Sequence, residues 1–403
     1  MTLSDPGPGY RRRVRLFDTD DPAFLADPYP AFAEARAHGP VHRHQGLGCA
    51  VAVSHAAASA VLRHRGLGRI WSDAEPAERF ASFNLLHRNS LLENEPPAHT
   101  RLRRLVSGAF ARGHVERLRP RIEELADGMV DGLAARIHRE GSADLLEHLA
   151  GPLPVAVIGE LLDVPAADRP RLVPWSNAIV RMYEYGLPEE SRRMAEEAAA
   201  EFAGYVRSLA SARRARPGDD LVSHLLAADL TEDEVVATAV LLFMAGHEAT
   251  VNVIGNGVHA LLGAREQWQR LVDDPALLPV AVEELIRFDS PLQLFERTAT
   301  VDVEIEGFAV RRGERIAALL GAAARDPAVF AEPDLLDVAR QPNAHLGFGG
   351  GIHYCVGAPL ARVEIAAAVG ALTSRLPGLR PAGAPERRPE FVIRGFRTLP
   401  VSL

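Results

Sequence analysis

The sequence predicts a mainly α-helical fold with small β-sheets, and three observations carry that reading. Residues 122–162 and 188–213 are rich in Ala, Glu, Leu and Arg, side chains that give up little freedom in a helix. Thr231-Glu232-Asp233-Glu234 forms a capping box, with Thr at the N-cap and Glu at N3. The apolar run behind it continues to about Leu262, where Gly263 supplies a stop. At about 1.5 Å per residue that helix spans about 45 Å, and being apolar on most faces it must be buried. Segments of strand character, by contrast, are short. They are 41–53, broken by Gly46 and Gly48, and 300–316, where Val301, Val303 and Ile305 alternate with acids before a turn at Gly307.

A chain of 403 residues can bury a large core and a cofactor. Its 47% hydrophobic and 24% charged residues are ordinary for a soluble globular protein. All 45 basic residues are Arg and the net charge is −8, without the basic stripe a nucleic-acid partner requires. Two cysteines, Cys49 and Cys355, can pair once at most, which fits a reducing cytoplasm better than a disulfide framework. Residues 1–15 carry Arg11-Arg12-Arg13 with no apolar stretch behind them, so neither a signal peptide nor a membrane anchor is expected there. Residues 1–20 read as a flexible arm. The polar loop 212–220 does not break the helical pattern, so 1–403 is expected to be a single domain.

In chain order, 27–38 reads as an entry turn and a short helix, 41–53 as a hairpin and 56–63 as another helix. Cys49 lies among apolar neighbours in the hairpin and reads as a small buried hydrophobe. Residues 72–95 show no usable periodicity, and irregular segments of that length are usually functional. His99 and Arg103, four apart, share a helix face and could hold an anionic group, although a solvated basic face has the same pattern. Arg101, Arg104 and Arg112 would form a basic patch for an acidic partner. The aromatic concentration around Trp175, Tyr183 and Tyr185 reads as ordinary core. Within the long helix lies Ala245-Gly246-His247-Glu248-Ala249-Thr250, and burying Gly-His-Glu is costly unless neighbours or a function require it. Glu284 and Arg287 stand three apart on one helix face.

The chemistry concentrates in Phe348-Gly349-Gly350-Gly351-Ile352-His353-Tyr354-Cys355-Val356-Gly357-Ala358-Pro359-Leu360-Ala361-Arg362. Gly349, Gly351 and Gly357 allow positive φ and close approach to a flat ligand. Cys355 sits where a loop enters a helix, and the backbone N–H groups there favour negative sulfur. A glycine-rich turn carrying a structural cysteine has the same local features. Taken whole, however, the stretch resembles the haem-binding signature of the bacterial soluble cytochrome P450 family. Each fixed position of that signature, Phe-Gly-x-Gly-x-His-x-Cys-x-Gly followed by Leu-Ala-Arg, is matched here.

That resemblance implies the cytochrome P450 fold, with the long central helix crossing a haem held between it and the cysteine-bearing loop. It implies haem b as cofactor, Cys355 as iron ligand, and Phe348 beside the thiolate. His99, Arg103, Arg297 and His353 would neutralise the propionates, and Gly357 and Ala245 would lie against the cofactor. Residues 72–95 would roof the substrate pocket, 292–295 would line it, and Glu284, Arg287 and Arg340 would form a structural trio. The region around Trp175, Tyr183 and Tyr185 would, by the same resemblance, be a mobile lid over the pocket. Zinc is a poor rival, since no CxxC or HExxH adds ligands to His353 and Cys355. The hexapeptide of the long helix resembles the family's oxygen-activating stretch, with Glu248 as its acid. Ala249, however, stands where a Thr hydroxyl usually stabilises bound dioxygen and helps pass protons, and Thr250 is about 100° further round. Protons would then come through water, through Glu248 or His247, or from a substrate hydroxyl.

The implied activity is a monooxygenase inserting one atom of O2 into a small organic substrate, in this family often a secondary metabolite. Electrons would come from NAD(P)H through a reductase and an acidic ferredoxin. Two alternatives are oxidative coupling or ring formation without oxygen transfer, and a non-catalytic haem sensor or carrier.

Overall fold

The computed structural model of the chain describes residues 16–403. Arg11-Arg12-Arg13 and most of the expected arm therefore lie outside the described residues. Residues 16–20 are not an arm: Phe17 is buried, stacked on Phe24 at 4.8 Å and tilted against Phe391 at 5.9 Å. Such aromatic burial outweighs the entropy of ordering a few residues.

Five strands make the main sheet: β1 (Val41–His44), β2 (Cys49–Ala52), β3 (Leu67–Gly68), β4 (Leu294–Ala299) and β5 (Arg315–Leu319). Their spatial order is β1-β2-β5-β4-β3. The expected hairpin is β1–β2, in register from Val41↔Ala52 to His44↔Cys49, and Cys49 is buried in it. β2 runs parallel to β5, whereas β4 is antiparallel to it and sets Arg297 opposite Ile316. The second expected hairpin pairs Val303–Ile305 with Phe308–Val310. Its turn places Glu306 and Gly307 at φ 48° and 79°, the left-handed pair of a two-residue turn.

The helices that build the site are α1 (Ala98–Ser107), α2 (Arg112–Glu140), α3 (Pro152–Leu161), α4 (Glu189–Ala215), α5 (Glu232–Gly263), α6 (Leu278–Phe288) and α7 (Ala358–Arg375). The long helix is α5, and its capping box is made. Glu234 N–H donates to Thr231 Oγ1 at 3.2 Å and Thr231 N–H to Glu234 Oε2 at 2.9 Å. Among the described residues α5 alone is long and apolar enough to cross a membrane, yet 72% of its most apolar window is buried within the fold. It packs on α3, α4, α6 and α7, which cover its apolar faces.

Residues 122–162 are not one helical run. Gly141, at φ 83°, caps α2 in the left-handed conformation, and Ala143–Asp144 then pairs with the C-terminal strand Pro400–Ser402. A π-helical turn, Leu146–Ala150, precedes α3. The segment 72–95 also departs from expectation, because it holds the helix Ala81–Arg88. Its inward face mixes Phe83 and Leu86 with Asn84 and His87, all buried, so its hydrophobic periodicity is masked by polar side chains that point inward.

Glu284 and Arg287 of α6 are fully buried and joined by two contacts of 2.7 and 2.8 Å. Arg340 completes the trio at 3.1 Å from Glu284. Arg287 also donates to the carbonyls of Ala324, Pro333 and Leu335, and Glu284 accepts from the Asp337 N–H. The irregular stretch that leads to the cysteine loop is thereby tied to α6.

Candidate active site

The cysteine loop is shaped by two glycines, not three. Gly349 and Gly351 take φ 72° and 68°, and a Cβ on Gly351 would come within 2.6 Å of the Leu62 carbonyl oxygen. Gly357 has φ −81°, so the expected positive φ does not occur there. A Cβ on it would meet Cys355 Sγ at 3.9 Å, an ordinary contact. Cys355 N–H donates to the Phe348 carbonyl at 2.9 Å and closes the loop. Phe348 is fixed in turn by the Arg362 guanidinium 4.4 Å over its ring, and Arg362 is held by Glu283 at 2.6 and 2.9 Å.

Cys355 keeps exposed surface at the entry to α7 although protein surrounds its sulfur. That surrounding raises the thiol pKa by desolvation. The N–H groups of Gly357 and Ala358 and the charge of Arg103 oppose the rise. The helix-entry N–H groups thus act on the sulfur as the sequence implied, without overcoming burial.

Around the loop the structure gathers four of the predicted cationic groups. His99 and Arg103 lie on α1, His353 is in the loop, and Arg297 is on β4. The His99 and His353 rings lie 4.5 Å apart. His353 Nε2 contacts Glu95 Oε1 at 2.8 Å, and Arg103 donates to the Tyr354 carbonyl at 2.7 Å. His99 is buried with neither ring nitrogen hydrogen-bonded, and burial with the charges of His353 and Arg103 pushes its pKa down to about 4. Arg297 is 3% exposed and donates to the carbonyl of Glu296 at 2.8 Å. Burial, and then Arg69, lowers its pKa to about 10. A buried imidazole without partners and a buried guanidinium without a bound carboxylate are each costly on their own. A group carrying two carboxylates would answer both. The residues present therefore fit the two propionates of haem b.

The distal residues lie in the middle of α5. Along a helix otherwise buried nearly all round, Ala245 is exposed and Gly246 and Ala249 are half-buried, so that stretch shows only small side chains. Gly246 has a packing reason of its own, because a Cβ there would meet Ile158 of α3 at 2.7 Å. His247 donates its Nδ1–H to the Phe243 carbonyl, 2.9 Å away, and its other nitrogen has no hydrogen-bond partner. Glu248 Oε2 is 3.4 Å from Arg388, Oε1 is free of hydrogen bonds, and His247 Nε2 lies 3.8 Å away. Thr250 is buried.

Several partners in the site were not legible in the sequence. Arg388 reaches Glu248 across 140 residues, and Glu95 reaches His353 across 258. Arg101, expected on a docking patch, is paired instead with Glu234 and the Asp229 carbonyl, so it is not free for a partner. Glu234, the N3 acid of the capping box, sets a carboxylate near the helix start, and that was the available signal.

A loop that sets a cysteine sulfur beside two backbone N–H groups, a rim of His and Arg side chains and a buried helix baring only small residues fit a haem-thiolate oxygenase. The chain belongs to the cytochrome P450 family, whose profile, Cytochrome P450, matches residues 34–377. It is 39% identical to the cytochrome P450 monooxygenase PikC of Streptomyces venezuelae over 391 residues, covering 94% of this chain and 91% of that protein. It is 44% identical to the mycinamicin IV hydroxylase/epoxidase of Micromonospora griseorubida, over 78% of this chain and 80% of that one. The structure of P450BioI in complex with an acyl carrier protein ligated to hexadec-9Z-enoic acid superposes with a TM-score of 0.90 at 33% identity. That superposition covers 94% of this chain and 99% of the other. The protein is thus a cytochrome P450 monooxygenase with haem b as its cofactor, acting on a small molecule with O2 and a redox partner. The sensor or carrier alternative is set aside.

Proposed function

We propose that Cys355 is the thiolate ligand of haem b and that the protein oxygenates a secondary metabolite. The observation that carries the assignment is the Cys355 sulfur under two backbone N–H groups, together with His99, whose ring nitrogens have no hydrogen-bond partner, and Arg297, which donates only to a backbone carbonyl. Bound through a thiolate, haem supplies reductive activation of O2. His99, Arg103, Arg297 and His353 would hold its propionates, Phe348 would limit access to the sulfur, and Gly357 and Ala245 would lie against the ring. The substrate class rests on relatives such as the mycinamicin IV hydroxylase/epoxidase. The deciding experiment is a carbon-monoxide difference spectrum of the reduced, haem-loaded protein. A strongly red-shifted Soret band is expected, and well-folded protein giving the shorter-wavelength band of histidine-ligated haem would overturn the assignment.

Proton delivery proceeds without the helix threonine. Ala249 has no hydroxyl, and the acid of the stretch, Glu248, leans on Arg388, which is 26% exposed and so reaches toward water. Glu248 and His247, ordered water, or a hydroxyl on the substrate are the sources this arrangement supports. Electrons from NAD(P)H would arrive through a reductase and an acidic ferredoxin in the cytoplasm, docking where Arg104 and Arg112 are exposed.

The missing hydroxyl also favours a second reading, oxidative coupling or ring closure without oxygen transfer. Turnover under isotopically labelled O2 separates the two. Label in the product is expected for the monooxygenase, and unlabelled, dehydrogenated or coupled product would select the second reading.

A further inference from the structure

Beside α5 lies a small cavity walled by apolar side chains, among them Leu86, Ile179 and Val240, with a volume of about 10 Å³. That is room for one water-sized group. Its polar side chains are His87, Ser90 and Tyr183. Their hydrogen bonds fix what each can offer.

His87 is buried and packs against Trp71, stacked at 4.7 Å, and Phe83, tilted at 4.0 Å. Its Nδ1 lies 2.8 Å from the Phe83 carbonyl, which can only accept, so Nδ1 carries the proton. Burial lowers the imidazole pKa and keeps the ring neutral, so Nε2 is an acceptor. Tyr183 Oη, 3.2 Å from Nε2, must then donate its only proton to it. Ser90 Oγ donates to the His87 carbonyl at 3.2 Å. Nearby, Trp71 Nε1–H is committed to Asp73 at 2.9 Å and Arg69 Nε–H to Glu93 at 3.1 Å. Tyr183 Oη and Ser90 Oγ therefore have their protons engaged and lone pairs left over, whereas the one lone pair of His87 is taken by the Tyr183 O–H.

We propose that Ser90 and Tyr183, with the Tyr183 proton held by His87, form an acceptor-only subsite that selects substrates presenting a hydroxyl group as a hydrogen-bond donor. This specifies the substrate class of the monooxygenase and rests on that reading. The cavity is bounded on α5 by Met244, five residues before Ala249 and so about 7.5 Å along the helix. A hydroxyl anchored here is thus distinct from one that would pass a proton at Ala249. An apolar molecule carrying a carbonyl in place of the hydroxyl meets lone pairs with a lone pair, and is rejected for leaving buried polar groups unpaired.

The test uses the full-length, haem-loaded protein and three ring compounds of one shape: cyclododecanol, cyclododecanone and cyclododecane. Affinities are read by calorimetry, which needs no turnover. Wild type should bind the alcohol at least about fivefold more tightly than the ketone, the equivalent of one hydrogen bond. His87→Phe keeps an aromatic ring against Trp71 and Phe83 but releases the Tyr183 O–H to donate. The alcohol-to-ketone ratio should therefore fall to about one or invert. Tyr183→Phe uncovers the Nε2 acceptor and should keep the preference for the alcohol. Equal ratios in wild type and His87→Phe, or a wild type that does not prefer the alcohol, would overturn the proposal. The carbon-monoxide spectrum of each variant reports on the haem-thiolate assignment separately. A normal band with a flat ratio overturns the subsite alone, and a displaced band with the expected ratios overturns the ligand assignment alone.

Discussion

Glu364 of α7 shows how far a single residue can depart from what its sequence position displays. It is 1% exposed, and one of its carboxylate oxygens is buried without a hydrogen-bond donor. Burial raises its pKa well above the usual carboxylate value, so the group is held neutral. The sign of the linkage follows from that direction. Below the unfolded-state pKa, near 4.3, the carboxyl is protonated in both states and costs nothing. As pH rises from there toward the folded value, the unfolded state ionises and the folded state does not, and stability is lost. Glu364→Gln, always neutral, should match wild type near pH 4 and exceed it by about 1 kcal/mol or more near pH 8, as read by urea denaturation at both pH values. A gap of the same size at both would show that ionisation of Glu364 is not involved. At this scale the sequence was most informative where chemistry has a fixed spacing, as in Phe348 to Gly357, or the step of four from His99 to Arg103. It was silent on Arg388, Glu95 and the His87–Tyr183 pair, because nothing local marks a contact that spans 96 residues or more.

Among the elements, those bounded by strong local signals were legible and those bounded by tertiary contacts were not. The α5 start follows from Thr231 and Glu234 alone, and the Glu306-Gly307 turn from its left-handed residues. The end of α2 at Gly141 and the short strand after it were hidden, since the strand exists only through its pairing with residues at the far C-terminus. The helix Ala81–Arg88 was hidden by inward polar residues. Gly246 adds a case in which sequence and packing give different reasons for one residue. It falls in the oxygen-activating stretch, yet the immediate demand on it is the approach of α3, with Ile158 Cγ1 2.7 Å from where a Cβ would be. Gly246→Ala should therefore destabilise by about 1–3 kcal/mol through overpacking. Adding Ile158→Ala should recover part of that loss, where two independent lesions would add. Chemical denaturation of the single and double variants measures the coupling, and strict additivity would place the role of Gly246 elsewhere than this contact.

For the whole molecule, the decisive arrangement is the way distant segments are tied to the frame that presents the cysteine loop. The trio of Glu284, Arg287 and Arg340 does this with buried charge. Glu284 is fully buried and receives both guanidinium groups, the Asp337 N–H and Asn343 Nδ2. Arg287, equally buried, extends the network to three backbone carbonyls between Ala324 and Leu335. A paired buried charge is of small net benefit, but removing one partner strands the other in a medium that cannot solvate it. Glu284→Gln keeps the shape and one acceptor oxygen while leaving Arg287 and Arg340 uncompensated, so it should cost about 3–5 kcal/mol. The loss should reach the haem, because the stretch fastened to Glu284 runs directly into Gly349 and Cys355. Denaturation followed by helical ellipticity and by the Soret band should therefore shift together to lower denaturant for the variant. A variant that loses haem at unchanged helical stability would show that the trio positions the loop without supporting the fold. One that unfolds early while the purified folded fraction retains a normal red-shifted carbon-monoxide band fits a role in the frame, with the site intact wherever the frame is.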